Sequence, residues 1–155
     1  MTLVHRLLSC AVLLGGLLAF SGCGTTVSSS SDQDSNRTLT TAANTNWVLS
    51  HWTSANGEKQ TVLPPAPTLL IGYEGRISGR SGVNTYAGTA RIVRGQLDWG
   101  NNLGVTRMAG SPELMASETR YLNDLQATQH VTISGNRLIF TGKKPLRLEF
   151  VRAHP

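Results

Sequence analysis

From about residue 46 onward the chain alternates apolar and polar positions in short runs, the two-residue period of strands with one buried face. Residues 46–53 alternate around Trp47, Leu49 and His51, with Trp52 out of phase. Pro64, Pro65 and Pro67 mark a turn, and residues 68–73 form the next β-run. A glycine-rich stretch over 75–82 leads into 84–86, and 89–93 with 96–99 predicts a hairpin about Arg94-Gly95. A second hairpin joins 130–134 to 137–141 through Gly135-Asn136. In the last run, 146–151, Leu146, Leu148 and Phe150 alternate with Arg147 and Glu149, so one face is buried and one is wet.

The period changes once, over about 112–127. Ser111 is a natural N-cap, Pro112 suits the first helical position, and Glu113 faces the positive end of the helix dipole. Leu114, Glu118, Tyr121, Leu122 and Leu125 fall on one stripe at helical spacing. The expected class is therefore α+β, an antiparallel sheet with one helix packed across it.

The N-terminal end follows a different pattern. His5 and Arg6 precede an apolar stretch, 7–20, that is shorter than the roughly 20 residues a membrane span needs. It ends in Phe20-Ser21-Gly22-Cys23, which resembles the lipobox of bacterial lipoproteins, although Phe20 stands where Leu is usual. The expectation is a signal peptide over 1–22 and acylation of Cys23. Cys10 leaves with the signal, so Cys23 is the single thiol of the mature chain, and acylation accounts for a lone cysteine in an oxidising compartment. More than one acyl chain is needed for stable anchoring, a condition that a diacyl or triacyl cysteine meets. Gly24 follows, where an Asp would favour retention in the inner membrane of a Gram-negative cell. The expected address is thus the outer membrane, facing the periplasm.

Residues 24–45 are nearly all Ser, Thr, Asn, Asp, Gln, Gly and Ala, with Val27 and Leu39 the only larger apolar side chains. Such a segment is expected to be a disordered tether, about 25 Å from end to end for a flexible chain of this length. The remainder, 46–155, has the length of one domain. Twelve Lys and Arg against seven acids give it the whole chain's net charge of +5. A basic balance admits nucleic acid, which an exported protein rarely meets. The plainer reading is a solvated surface able to lie near anionic lipid or lipopolysaccharide.

Two stretches carry a family resemblance. Gly75-Arg76-Ile77-Ser78-Gly79-Arg80-Ser81-Gly82-Val83-Asn84-Thr85-Tyr86-Ala87-Gly88 resembles the signature Gly-Arg-x-Ser-Gly-x-x-Gly-Cys-Asn-x-Tyr-x-Gly of META domains, the HslJ-like lipoprotein family. Thr106-Arg107-Met108-Ala109-Gly110 is similar to the family's Thr-Arg-Met-Ala-Cys, and Trp47-Val48-Leu49 and Leu148-Glu149-Phe150 match its two ends. The resemblance implies a strongly curved antiparallel sheet, a partly open barrel, with the helix across it. Val83 and Gly110 replace the family's two characteristic cysteines; if relatives join those in a disulfide, this chain lacks it at both ends, at a cost of roughly 2–4 kcal/mol. From the residues alone, Gly75, Gly79, Gly82 and Gly88 permit sharp bends and close backbone approach, and Ser81 and Asn84 suit turn-bonding roles.

Little chemistry is legible. The glycines lack the lysine and following helix of a phosphate loop. His51, His130 and His154 lie far apart without metal-ligand spacing, so neither a metal nor a cofactor is expected. No nucleophile elbow is present, and Asp98 and Glu118 act as paired carboxylates only if the fold brings them together. Glu118, on an apolar stripe, needs a partner, and Arg107 is the candidate for an ion pair fixing the helix to the preceding loop. The expected function is a non-catalytic envelope lipoprotein acting in stress or drug tolerance through interactions. The alternative is a pilotin-like carrier of an acyl chain or hydrophobic peptide, which requires an open apolar cleft between helix and sheet.

Overall fold

The computed structural model describes residues 30–100 and 103–153. Its elements, in chain order, are α1 (Ser30–Ala42), β1 (Asn46–Thr53), β2 (Thr68–Ile71), β3 (Arg76–Arg80), β4 (Thr85–Thr89), β5 (Arg91–Val93), β6 (Gln96–Asp98), β7 (Gly104–Val105), α2 (Pro112–Gln126), β8 (Thr128–Ser134), β9 (Arg137–Gly142) and β10 (Arg147–Arg152). Eight strands form one antiparallel sheet in the order β7-β4-β3-β2-β1-β10-β9-β8, curled into a half-barrel, while β5 and β6 form a separate hairpin. The class is α+β, as the alternation predicts.

The inward residues of the long strands and of α2 share one core. Trp47, Leu69, Tyr86, Leu138, Phe140, Leu148 and Phe150 are almost fully buried, as are Tyr121 and Leu125 of α2. Aromatic rings interlock edge to face, with Tyr121 between Trp52 (6.2 Å) and Tyr86 (6.1 Å) and Phe140 against Phe150 (5.8 Å). The helix begins as the sequence indicates: Ser111 Oγ accepts from Leu114 N at 3.4 Å and Pro112 stands in the first turn. Its buried side carries Glu118, Tyr121, Asp124 and Leu125, with Leu114 and Leu122 half-buried.

The out-of-phase Trp52 has a simple cause. The β1–β10 ladder pairs Leu49 with Phe150 and His51 with Glu149, leaving Ser50 unpaired as a bulge. One extra residue reverses the facing, so Trp52 joins Trp47 and Leu49 in the core and His51 is exposed. Both predicted hairpins form. Arg94 and Gly95 take φ of 51° and 77° at the tip of one, and Gly135 takes 58° in the other.

The expectation of a disordered tether over 24–45 is corrected in its second half, and with it the expected single helix: Ser30–Ala42 is a second helix, α1, packed against β8 and β5. Composition argued that the segment has too little apolar surface of its own, and it has little: Ala42 is buried and Leu39 packs against the core edge. The domain supplies the rest. Trp47 Nε1 donates to the Ala42 carbonyl at 2.9 Å, and the hydroxyls of Thr38 and Thr40 bond back to carbonyls one turn earlier. The folded unit therefore includes Ser30–Ala42 rather than starting at Asn46. The expected signal peptide, Cys23 and the first part of the tether lie outside the described residues.

Curvature depends on close approach at two glycines. Gly75 has φ +73°, and a Cβ there would overlap the Ala90 carbonyl oxygen. At Gly79 a Cβ would overlap the Thr68 carbonyl oxygen and stand 2.9 Å from the Tyr86 ring. Gly79→Ala is therefore expected to destabilise the domain by about 3 kcal/mol, read as a lower urea midpoint with unchanged slope; a shift below about 0.5 kcal/mol would contradict this packing.

Candidate functional site

The residues of the two motifs converge on one buried carboxylate. Glu118, on the inner side of α2, is 5% exposed, and no cation reaches it among the described residues. The expected Arg107–Glu118 ion pair is not formed: Arg107 is exposed, and Glu118 is surrounded by neutral donors. Asn84 Nδ2 donates to Oε1 at 2.7 Å, while Asn84 N and Ser81 Oγ both donate to Oε2 at 2.8 Å. The physical reason is desolvation, since burying a guanidinium as well would add a second large penalty that fixed neutral dipoles avoid.

Asn84 is itself fully used. Its Oδ1 accepts from Thr106 Oγ1 at 2.8 Å and Met108 N at 2.7 Å; its Nδ2 also donates to Met108 O at 3.3 Å. One side-chain amide thus behaves as a strand partner for Met108 and as the main donor to α2. The β3–β4 turn, the segment after β7 and the helix are tied at a single point. Burial raises the Glu118 pKa, but hydrogen bonds from Asn84, Ser81 and the Val83 backbone outweigh it, so the carboxyl titrates below its ordinary 4.5.

A second pair sits one layer away. Tyr86 and Tyr121 hydroxyls are 3.0 Å apart, and Tyr86 Oη donates to the Thr68 carbonyl at 2.8 Å. Burial pushes both phenols well up, so both stay neutral. Asp124, which the helical stripe overlooks, accepts from Trp52 Nε1 at 2.8 Å and from Ala55 N at 3.4 Å. Its signal was its place three residues after Tyr121 and one before Leu125.

Other expected site residues are dispersed. Gly82 and Gly88 lie in the β3–β4 turn and within β4, and Met108 is exposed despite its clamped backbone. Asp98 is exposed and accepts from Gly100 N, so it is not paired with Glu118. His51 is exposed with Nδ1 3.2 Å from Ser50 Oγ, His130 is exposed on β8, and His154 lies outside the described residues. Among the described residues no group of three or more His, Cys, Asp or Glu is placed to hold a metal.

Val83 and Gly110 face each other. A Cβ on Gly110 would lie 3.4 Å from the Val83 Cβ and 2.5 Å from one of its methyls. That Cβ separation is close to what a disulfide needs, and in this chain the valine side chain occupies the space instead.

The META domain family model matches residues 37–155. The chain belongs to the META domain family. The matched region begins inside α1, consistent with that helix being part of the META domain. Among solved structures, the chain is similar to a protein from Burkholderia xenovorans determined by NMR, with 28% identity and a TM-score of 0.63 over 77% of this chain and 88% of that one. A second NMR structure is 25% identical, with a TM-score of 0.53 over 74% and 93%. A DUF4847 family protein from Bacteroides vulgatus, 14% identical with a TM-score of 0.51 over 71% and 93%, shares the fold. No curated protein matches the chain.

Two outcomes test this META domain site. Glu118→Gln places an NH2 against donors already fixed by Thr106 and Met108, and should lower stability by about 1–3 kcal/mol at neutral pH. The depressed pKa stabilises the fold above the unfolded value near 4.5 and is lost as pH falls through the folded value. The wild type should therefore lose part of its stability on acidification that the variant never had; parallel stability–pH curves would refute the clasp. Second, Val83→Cys with Gly110→Cys should oxidise spontaneously and add about 3–4 kcal/mol for a loop of this length, measured by denaturation with and without reductant. Free thiols at positions 83 and 110 in the oxidised preparation would contradict the apposition.

Proposed function

We propose that the chain is a non-catalytic envelope lipoprotein, anchored through acylated Cys23 in an outer membrane facing the periplasm and acting in envelope stress or drug tolerance by binding other envelope components. The observation that carries this reading is how the buried polar groups are spent. Ser54, Ser81, Asn84, Glu118, Asp124 and Thr128 are all buried, and each bonds within the domain. A catalytic site keeps such groups available to a substrate; here they hold elements together, which leaves the surface as the working part.

The filled contact between α2 and the sheet favours interaction over carriage. Tyr121 and Leu125 are fully buried there, with Trp52 and Tyr86 packed around Tyr121, where a carrier would hold an acyl chain. Membership of the META domain family agrees with a lipoprotein setting.

The test is metabolic labelling with palmitate in the native host, alongside native mass spectrometry of the purified protein. Wild type is expected to be labelled and Cys23→Ser unlabelled, with no non-covalent lipid retained. Unlabelled wild type would remove the anchor, and stoichiometric co-purifying lipid would replace binding by carriage.

A further inference from the structure

Arg107 and Met108 belong to the second motif, yet the fold uses neither side chain: both are exposed, Met108 at 55%, and Arg107 makes no ion pair among the described residues. Their backbone explains where they stand. Gly104 pairs with Ala87, Thr106 N donates to the Thr85 carbonyl at 3.0 Å, and Met108 N and O are both taken by the Asn84 amide. Alternate residues thus face β4, and strand geometry turns the N–H and C=O of Val105, Arg107 and Ala109 the other way. No partner reaches those groups among the described residues, and 104–110 is exposed throughout.

The two ends of the sheet differ. β8 is flanked by α1 and β6, whereas among the described residues no strand pairs with the outer side of β7. Soluble proteins usually shield such an edge with proline, several charges or a bulge, and this one carries a single arginine beside the exposed Val105 and Met108. Beside it, on the outward side of β2, β3, β4 and β7, runs a trough of about 720 Å³. Ser78, Ala87, Gly104, Leu70 and Thr106 line it with small or uncharged groups, and among the described residues Arg80 is the only charged one there.

We propose that the β7 edge, residues 104–110, receives an extended, carboxylate-bearing segment of another envelope protein by strand addition. This deepens the interaction reading above and rests on it. An unpaired edge is matched by backbone, which selects an extended chain over a lipid or small molecule. Arg107 and Arg80, with no acid lining the trough among the described residues, select a segment bearing Asp or Glu. The same charge argues against a second copy of this chain, because an edge-to-edge dimer would bring Arg107 near its own counterpart.

The test uses the full-length protein in its native host with p-benzoylphenylalanine at position 108, or at Asn136 in the β8–β9 hairpin as control. Irradiation should give a discrete protein adduct from position 108 only, with mass spectrometry placing an Asp or Glu within a few residues of the crosslink. Val105→Pro removes an outward N–H while leaving the bonds to β4 intact, and Arg107→Glu reverses the charge. Each should reduce the adduct about tenfold, the equivalent of 1.4 kcal/mol, with unchanged thermal melting. The two variants are independent, so misfolding of one leaves the other decisive. No adduct, an adduct equal at position 136, one insensitive to both variants, a homodimer, or a lipid adduct would each overturn the proposal. Palmitate labelling of the same cells reports the anchor separately: an unlabelled protein that still gives the adduct loses the address and keeps the edge.

Discussion

One buried carboxylate that no cation reaches among the described residues organises this domain. Glu118 keeps its charge in an apolar interior only if enough fixed dipoles point at it, and those dipoles come from a turn 34 to 37 residues away in sequence. Satisfying Glu118 thereby fixes the position of α2 on the sheet. It also holds Asn84 in the one orientation whose remaining lone pairs and proton capture Thr106 and Met108. Half-satisfied, such a network would be worse than an apolar core; complete, it specifies one arrangement.

The tryptophans extend the same logic. Each of the three donates its indole N–H to a helix or to a helix end: Trp47 to the Ala42 carbonyl, Trp52 to Asp124, and Trp99 to Thr128, just beyond α2. Large apolar bodies fill the half-barrel while their polar tips set where the helices lie. This distributed fastening makes a domain without an internal disulfide reasonable. Where a cystine could sit, the half-buried Val83 side chain occupies the space beside Gly110, so a van der Waals contact stands in place of a covalent constraint.

Legibility followed the range of the forces involved. Local rules wrote the hairpins, the Ser111 cap and the outer alternation plainly, because turn chemistry and periodicity are decided within a few residues. The bulge at Ser50 was visible only as a conflict between Trp52 and its neighbours, since a one-residue register change leaves no mark of its own. Helix α1 was illegible because its apolar contacts belong to the domain. Thr-rich and Ser-rich composition describes the segment's own surface, not what Trp47 and β8 offer it. The apolar stripe marks Glu118 as needing a partner, and the motif that precedes the helix offers the Arg107 guanidinium as a candidate. What sequence does not convey is that a full cage of neutral donors, assembled from a distant turn, costs less to bury than a guanidinium.

That choice has an outward consequence. Had Arg107 paired with Glu118, the segment after β7 would have been drawn inward and its cation consumed in the core. Because Asn84 serves both the carboxylate and the Met108 backbone, the segment is instead held flat against β4 by one side of its backbone alone. Its other side, its arginine and its methionine are left facing solvent. The same interactions thus fill the interior and leave one sheet edge charged and, among the described residues, unpaired. In this fold, core satisfaction and surface availability are two results of a single hydrogen-bonded amide.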